Sequence, residues 1–239
     1  MKSKLLLGVS VTLLAGTIGL SSSNAAGLSA NVAMTSDYRF RGISQNDQSF
    51  AIQGGIDYEN ANGFHAGVWS SSVDFQIQTV DDASSELDIY AGYGSEFGDS
   101  GIAWDVGFLH YKYPSADGSL NYDFTEINAT LSYEWLTVFY AHTSDYFAAS
   151  GDADYLNVAA GFEFDGGWSA GVSIGHQSVD DNAAWGTPDW NEYKAYVGKS
   201  HQGLDFELAL IDTDLSFNDC FGGSDWCDST ATFTVSKSF

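Results

Sequence analysis

The 239-residue sequence predicts an all-β chain that closes into an antiparallel transmembrane β-barrel of about 12 strands. Three observations predict it. Apolar and polar residues alternate over stretches of roughly ten residues, the period of a strand with one apolar and one polar face. Short and long connections take turns along the chain, as in barrels with tight periplasmic turns and longer extracellular loops. Aromatic residues gather at strand ends, at the depth where amphipathic rings meet lipid headgroups. Composition agrees. The chain has 26 glycines, 15% aromatics and only 2 prolines, and its 17% charged residues fall below the roughly 25% of ordinary soluble domains.

The chain opens with Lys2, Lys4 and the apolar run LLLGVSVTLLAGTIGL, followed by the small residues SSSNAAG. This is the pattern of an export signal. It is predicted to span 1–25, with cleavage after Ala25 or Ala26, which leaves 26–239 as one outer-membrane barrel domain. Without the two leader lysines, six basic residues face 32 acidic ones, a net charge of −26. That charge excludes nucleic acid as a partner and suits a surface or lumen that handles cations. Cys220 and Cys227 lie in one loop-like stretch, CFGGSDWC. In an exported protein they are expected to form a disulfide, and no metal site is expected there because no further soft ligands lie nearby.

Strands are predicted at 28–41, 49–59, 63–75, 85–96, 102–113, 121–134, 136–147, 154–164, 168–179, 191–200, 203–214 and 229–239. ELDIYAGYG, for example, places Glu86, Asp88, Tyr90 and Gly92 on one face and Leu87, Ile89, Ala91 and Tyr93 on the other. Short turns fall at 60–63, 98–101, 134–135, 165–167 and 201–203. Long loops fall at 42–48, 76–84, 114–120, 148–153, 180–190 and 215–228. One expected aromatic girdle, beside the short turns, comprises Tyr58, Phe64, Phe97, Trp104, Tyr133, Trp135, Phe162, Phe164, Trp168, Phe206 and Phe239. The second, towards the long loops, comprises Tyr38, Phe40, Tyr113, Tyr122, Tyr140, Tyr146 and Tyr193.

The chain also repeats itself. TSDY at 35–38 recurs at 143–146, and GFHAGV at 63–68 resembles GWSAGV at 167–172. An offset near half the mature length implies two six-strand halves from one duplication.

The segment TSDYRFRGIS (35–44) carries both arginines of the chain. Read as a strand, it places Asp37, Arg39 and Arg41 on the lumen face. A charge facing lipid near the midplane would cost about 2–4 kcal/mol. The expected lumen carboxylates are Asp57, Glu86, Asp88, Asp105, Glu126, Asp145, Glu163, Glu192, Asp205 and Glu207. Guanidinium forks bind carboxylates in bidentate fashion. The arginines are therefore expected to tie these carboxylates together, to set a transverse field at a constriction, or both. Bulky lumen residues such as Trp69, Tyr90, Tyr111, Tyr155 and Tyr196 would narrow the bore.

The stretch NVAMTSDYRFRGISQNDQSFAIQGGIDYENANGFHAGVWSSSVDF (31–75), with ELDIYAGY (86–93), SDYF (144–147) and DTD (212–214), resembles the TorF family of proteobacterial porin-like proteins. The resemblance implies an outer-membrane barrel acting as a channel, with no catalytic residues or cofactor to carry over. The expected protein is a monomer in the outer membrane of a Gram-negative cell. It would sit among outer-membrane lipids and lipopolysaccharide and pass small polar, cationic or zwitterionic solutes by diffusion. A filled, non-conducting barrel with a structural or adhesive role is the alternative. A lipid hydrolase using His142 and Ser144 is a further one. It is disfavoured because Asn157, on the next strand, falls on the opposite face from His142. The loop acids Asp81-Asp82, Asp180-Asp181, Asp219, Asp225 and Asp228 show no ordered ligand spacing and read as solvated charge.

Overall fold

The computed structural model describes residues 27–75, 83–116 and 121–239. The expected export signal and the pair Asp81-Asp82 lie outside the described residues. The wall of the barrel starts with β1 (Gly27–Thr35). A short hairpin of β2 (Arg39–Phe40) and β3 (Ile43–Ser44) follows. Then come β4 (Ala51–Glu59), β5 (Phe64–Ser72), β6 (Ser85–Glu96), β7 (Ile102–Lys112) and β8 (Phe124–Tyr133). The wall continues with β9 (Leu136–Thr143), β10 (Ala153–Phe164), β11 (Trp168–Val179), β12 (Trp190–His201), β13 (Leu204–Thr213) and β14 (Thr230–Ser238). One four-residue helix, α1 (Asn182–Trp185), lies between β11 and β12.

Twelve strands form a closed antiparallel ring, and β1 closes it by pairing with both β4 and β14. Closure leaves no edge, so every wall strand has a partner on each side. A bilayer, which offers no hydrogen bonds of its own, demands this. The outward residues are apolar: Val32, Ile56, Val68, Ile89, Val106, Phe108, Leu131, Val172, Ile174, Leu208 and Phe233 are all exposed on the outside of the ring. Their strand neighbours, such as Gln53, Asp88, Asp105, Glu126, Asn157 and Thr232, are buried. The girdle beside the short turns is as expected, with Tyr58, Phe64, Tyr133, Trp135, Phe162, Phe164, Trp168 and Phe239 exposed.

The other girdle needs correcting. Only Tyr140 and Tyr193 face outward there; Tyr38, Tyr113, Tyr122 and Tyr146 are buried. The reason is the first strand. It was expected to run to residue 41, but it stops at Thr35. Residues 36–46 turn inward, and Asp37, Tyr38, Arg39, Arg41 and Ile43 through Asn46 are all buried. This segment fills the long-loop end of the lumen. The tyrosines at the other strand ends pack against it instead of against lipid.

The two halves of the chain repeat local devices. Thr35 Oγ1 donates to the carbonyl of Asp37 at 3.1 Å, and Thr143 Oγ1 donates to that of Asp145 at 3.2 Å. Each TSDY therefore ends a wall strand with the same turn and sends its tyrosine, Tyr38 or Tyr146, into the interior. Gly67 lies directly opposite Tyr90 on the neighbouring strand, and Gly171 directly opposite Tyr196. A Cβ on Gly171 would come within 2.5 Å of the Tyr196 ring and 2.7 Å of the Ala160 carbonyl. The missing side chain is what lets the ring lie flat along the inner wall. Gly171→Ala is accordingly expected to lower stability by about 1–3 kcal/mol. Urea unfolding of the detergent-folded protein would measure it, and an unchanged midpoint would contradict this packing.

Candidate functional site

The candidate site is the lumen, and the inserted segment divides it. Phe40, Arg41, Gly42 and Ile43 form a tight hairpin turn, with φ of 50° at Arg41 and 85° at Gly42. Positive φ at both central residues gives the turn whose twist suits two short antiparallel strands, and glycine takes it without strain. Space demands glycine too. A Cβ at Gly42 would sit 2.5 Å from Thr213 Cγ2, because the tip of the hairpin presses on the wall at β12 and β13.

From that tip Arg41 reaches the far wall. Its Nη2 donates to both oxygens of Glu126 on β8, each at 2.7 Å, and its Nη1 donates to Gln177 Oε1 on β11 at 2.5 Å. The guanidinium stacks over the rings of Phe40 (4.6 Å) and Tyr155 (4.2 Å). Tyr111 donates its hydroxyl to Glu126, and the Trp190 indole donates to the Arg41 carbonyl at 2.8 Å. Arg41 and Glu126 are both nearly inaccessible to water, with side chains 5% and 2% exposed. A charge pair so placed needs its hydrogen bonds filled to offset desolvation. Here every oxygen of the carboxylate has a donor.

Arg39 does different work. Its Nε bonds Asp37 at 2.6 Å, and its Nη1 meets the carbonyls of Gly42, Trp226 and Asp228. Asp37 also accepts from Ser44 Oγ at 2.7 Å. The expectation that Arg39 ties a wall carboxylate is thus corrected. Its carboxylate lies in the same segment, two residues away, and its other partners are backbone carbonyls of the segment itself and of the loop between β13 and β14. That loop is closed by the Cys220–Cys227 disulfide, Cα–Cα 6.0 Å. It is sewn to the segment by Ser44 N to the Trp226 carbonyl and by the Trp226 indole to Asp47.

The other carboxylates sort by depth. Glu86 accepts from the hydroxyls of Tyr38 (3.1 Å) and Tyr113 (3.3 Å) just under the segment. Asp88, beside it on β6, is fully buried, and neither of its oxygens has a hydrogen-bond donor among the described residues. Glu192 accepts from Tyr155 and Asn157. Towards the short-turn end, Asp57 accepts from Asn31 and Tyr90, Asp105 pairs with His65 at 2.7 Å, and Glu207 pairs with Lys194 at 2.8 Å. Glu163 and Asp205 are exposed near the short-turn mouth. Asp145 departs from expectation. It follows the end of β9 on the loop side and is exposed, so it does not line the lumen.

Sequence reasoning missed Gln177, Trp190 and Trp226 as partners of the arginine segment, and it sent Tyr38, within the segment, to a girdle rather than to Glu86. Nothing local says which cross-lumen group Gln177 meets. The histidine reading also changes. Asn157 points into the lumen, as expected, but Asp154 lies on the outer face and bonds His142 Nδ1 at 3.0 Å. No hydrogen bond joins His142 to Ser144 among the described residues. His110–Thr125 and His176–Asn191 are matching outward pairs on β7–β8 and β11–β12. His142 therefore belongs to a polar rim around the long-loop end. The same rim holds Lys112–Asp123 at 2.9 Å. Burial there pushes the Asp123 carboxyl up, but the Tyr113 N–H and the Lys112 ammonium outweigh it and hold the group below its usual range.

Residues 20–239 match the family model described as "Bacterial protein of unknown function (Gcw_chp)", and the chain belongs to that family. The matching description is Gcw_chp rather than the TorF name. Among solved structures, the fold is similar to the NanC porin, at 9% identity and a TM-score of 0.55, covering 89% of this chain and 99% of that one. It is also similar to the KdgM porin, at 12% identity and a TM-score of 0.52, covering 88% and 98%. A second KdgM structure is described as a complex with disordered oligogalacturonate. A search of the curated proteins finds no match. The chain thus has the fold of a porin-like outer-membrane β-barrel.

Removing Arg41 would strand Glu126 in a dry site. Arg41→Ala is expected to destabilise the barrel by about 3–5 kcal/mol. The double variant Arg41→Met with Glu126→Leu should recover most of that loss. Paired urea titrations check both, and a loss no smaller in the double variant would mean that the ion pair is not what holds the segment.

Proposed function

We propose that this chain is a passive outer-membrane channel for small polar, cationic or zwitterionic solutes, constricted at its outer end by its own residues 36–46. The carrying observation is Arg41, which spans the lumen from an inserted hairpin to Glu126 on the far wall. In this conformation solute must pass between the hairpin and the wall. Below the hairpin the way is lined by Asp57, Asp105, Glu163, Asp205 and Glu207, with Lys194 and His65 among them. An acidic lining concentrates cations and repels anions. An oligogalacturonate, a polyanion like the ligand of the KdgM complex, is a poor fit to such a lumen. In this reading the chain is exported by its leader, sits as a monomer among outer-membrane lipid and lipopolysaccharide, and carries out no chemistry.

One observation favours a second reading, a filled barrel with a structural role. The segment is not a loose loop. It is bonded to the wall at Glu86, Glu126, Gln177 and Trp190, and it is covered by buried Tyr113, Tyr122 and Tyr146.

Planar-bilayer recording in a KCl gradient separates the two. Discrete current steps with a cation-selective reversal potential are expected. Arg39→Ala with Arg41→Ala should raise both the step size and the cation selectivity, because it removes the cross-lumen bridge and two positive charges. If wild type and variant are both silent while gels show heat-modifiable, folded protein, the channel reading fails and the filled barrel stands.

A further inference from the structure

The long loops do more than cover the inserted segment. Between them lies a small hollow, about 40 Å³, with an open mouth. Its walls are rings, each delivered by a different part of the chain. Phe40 comes from the inserted hairpin, Phe75 from the end of β5, Tyr113 from the end of β7, and Trp185 from α1. Phe221 and Trp226 come from the disulfide loop. Ser44 and Gln45 are its few polar walls. Several of the rings meet edge-on or tilted, as Phe75 with Tyr113 at 5.4 Å and Trp185 with Phe221 at 5.2 Å, while Trp185 stacks on Trp190 at 6.3 Å. So small a hollow does not take a whole ligand. A ligand would therefore seat one end among the rings and leave the rest in the mouth.

Charge points to what fits. Asp47 accepts from the Trp226 indole, Asp181 caps α1, and Asp219 and Asp225 lie in the disulfide loop beside Phe221 and Trp226; all four acids are exposed. The nearby arginines are each paired with a carboxylate, Arg41 with Glu126 and Arg39 with Asp37, so they add no net positive charge. Ring faces are themselves negative, so aromatic walls within an acidic rim attract a cation with an apolar body and reject an anion.

We propose that this hollow is a binding site for a small aromatic or alkyl ammonium ion arriving from outside the cell. Because Phe40, Ile43, Ser44 and Gln45 form part of its wall, a bound ligand contacts the segment that narrows the lumen. Occupancy and segment position are then linked. The site stands on the loop geometry and does not depend on conduction.

Tryptophan fluorescence of the detergent-folded protein tests it, since Trp185, Trp190 and Trp226 all line the hollow. The probes are benzyltrimethylammonium, benzyl alcohol and benzoate. Saturable quenching by the ammonium ion at millimolar concentration or below is expected, with weaker binding of the alcohol and none of benzoate. Phe221→Ala and Trp185→Ala should each weaken the ammonium ion by about tenfold, the worth of a well-placed ring. Trp185→Phe should restore most of that. Trp168→Phe, at the lipid-facing opposite end, should leave the affinity unchanged. Should Trp185→Ala lose heat-modifiability, Phe221→Ala and Trp185→Phe decide alone. Non-saturating quenching by the ammonium ion, equal binding of the alcohol or benzoate, or unaltered affinity in the folded loop variants would each overturn the proposal. The readout is fluorescence, so a silent bilayer would sink the channel and leave this site untouched.

Discussion

The bilayer gives backbone groups nothing to bond to, and the rest of this structure depends on how the chain meets that constraint. Closing β1 onto β14 removes the last sheet edge and satisfies the ladder all the way round. Once the wall is closed, the two faces of each strand have no freedom left. Val32, Ile89, Phe108 and Leu208 must stand in lipid, and Asp88, Glu126, Asn157 and Gln177 must stand inside. A one-residue slip would exchange the two sets along a whole strand, so the alternation locks the register.

An interior made polar in this way creates the next problem. Carboxylates projecting from opposite walls into a narrow bore repel one another and lose water as the bore fills. The protein answers with tyrosines and with one arginine. Tyr38 and Tyr113 hold Glu86, Tyr111 and Arg41 hold Glu126, and Tyr155 holds Glu192. Tyrosine suits this task because its ring is apolar enough to lie over Gly67 or Gly175 while its hydroxyl reaches Asp57 or Glu192. Arg41 alone among these groups crosses from the inserted hairpin to the far wall. The inserted segment is thus held by an ion pair, with both carboxylate oxygens bonded, whose loss costs more than its presence gains.

The fold is similar to that of the NanC and KdgM porins at sequence identities of 9% and 12%. Such a likeness carries the wall and not what the wall encloses. Function in a barrel resides in lumen side chains and loops, which vary freely once strand length and alternation are kept. In this chain those variable parts are an acidic lower lumen, a hairpin with two arginines, and loops that bring rings together over the outer mouth.

How much of this could be read from the sequence follows from the range of each interaction. Strand number, lipid face, turn positions and the short-turn girdle are local or periodic properties. The alternation of ELDIYAGYG or TATFTVSKSF settles them without knowledge of any partner. The recurrence of TSDY was visible for the same reason. The course of TSDYRFRGIS was not. Its alternation continues that of β1 without a break, and as a strand it would have carried Tyr38 and Phe40 to a girdle. Its inward turn is decided by groups more than 80 residues away, Glu126, Gln177, Trp190 and Trp226, which meet it only when the ring has closed. Asp145 shows the same limit from the other side. It shares the TSDY motif and the threonine turn of Asp37, but no arginine follows it, and it stays in water. The sequence by itself determined the wall, because period and lipid leave one solution. Only the tertiary structure decided what fills the wall, because pairing across a lumen is a contest among distant charges that no local pattern records.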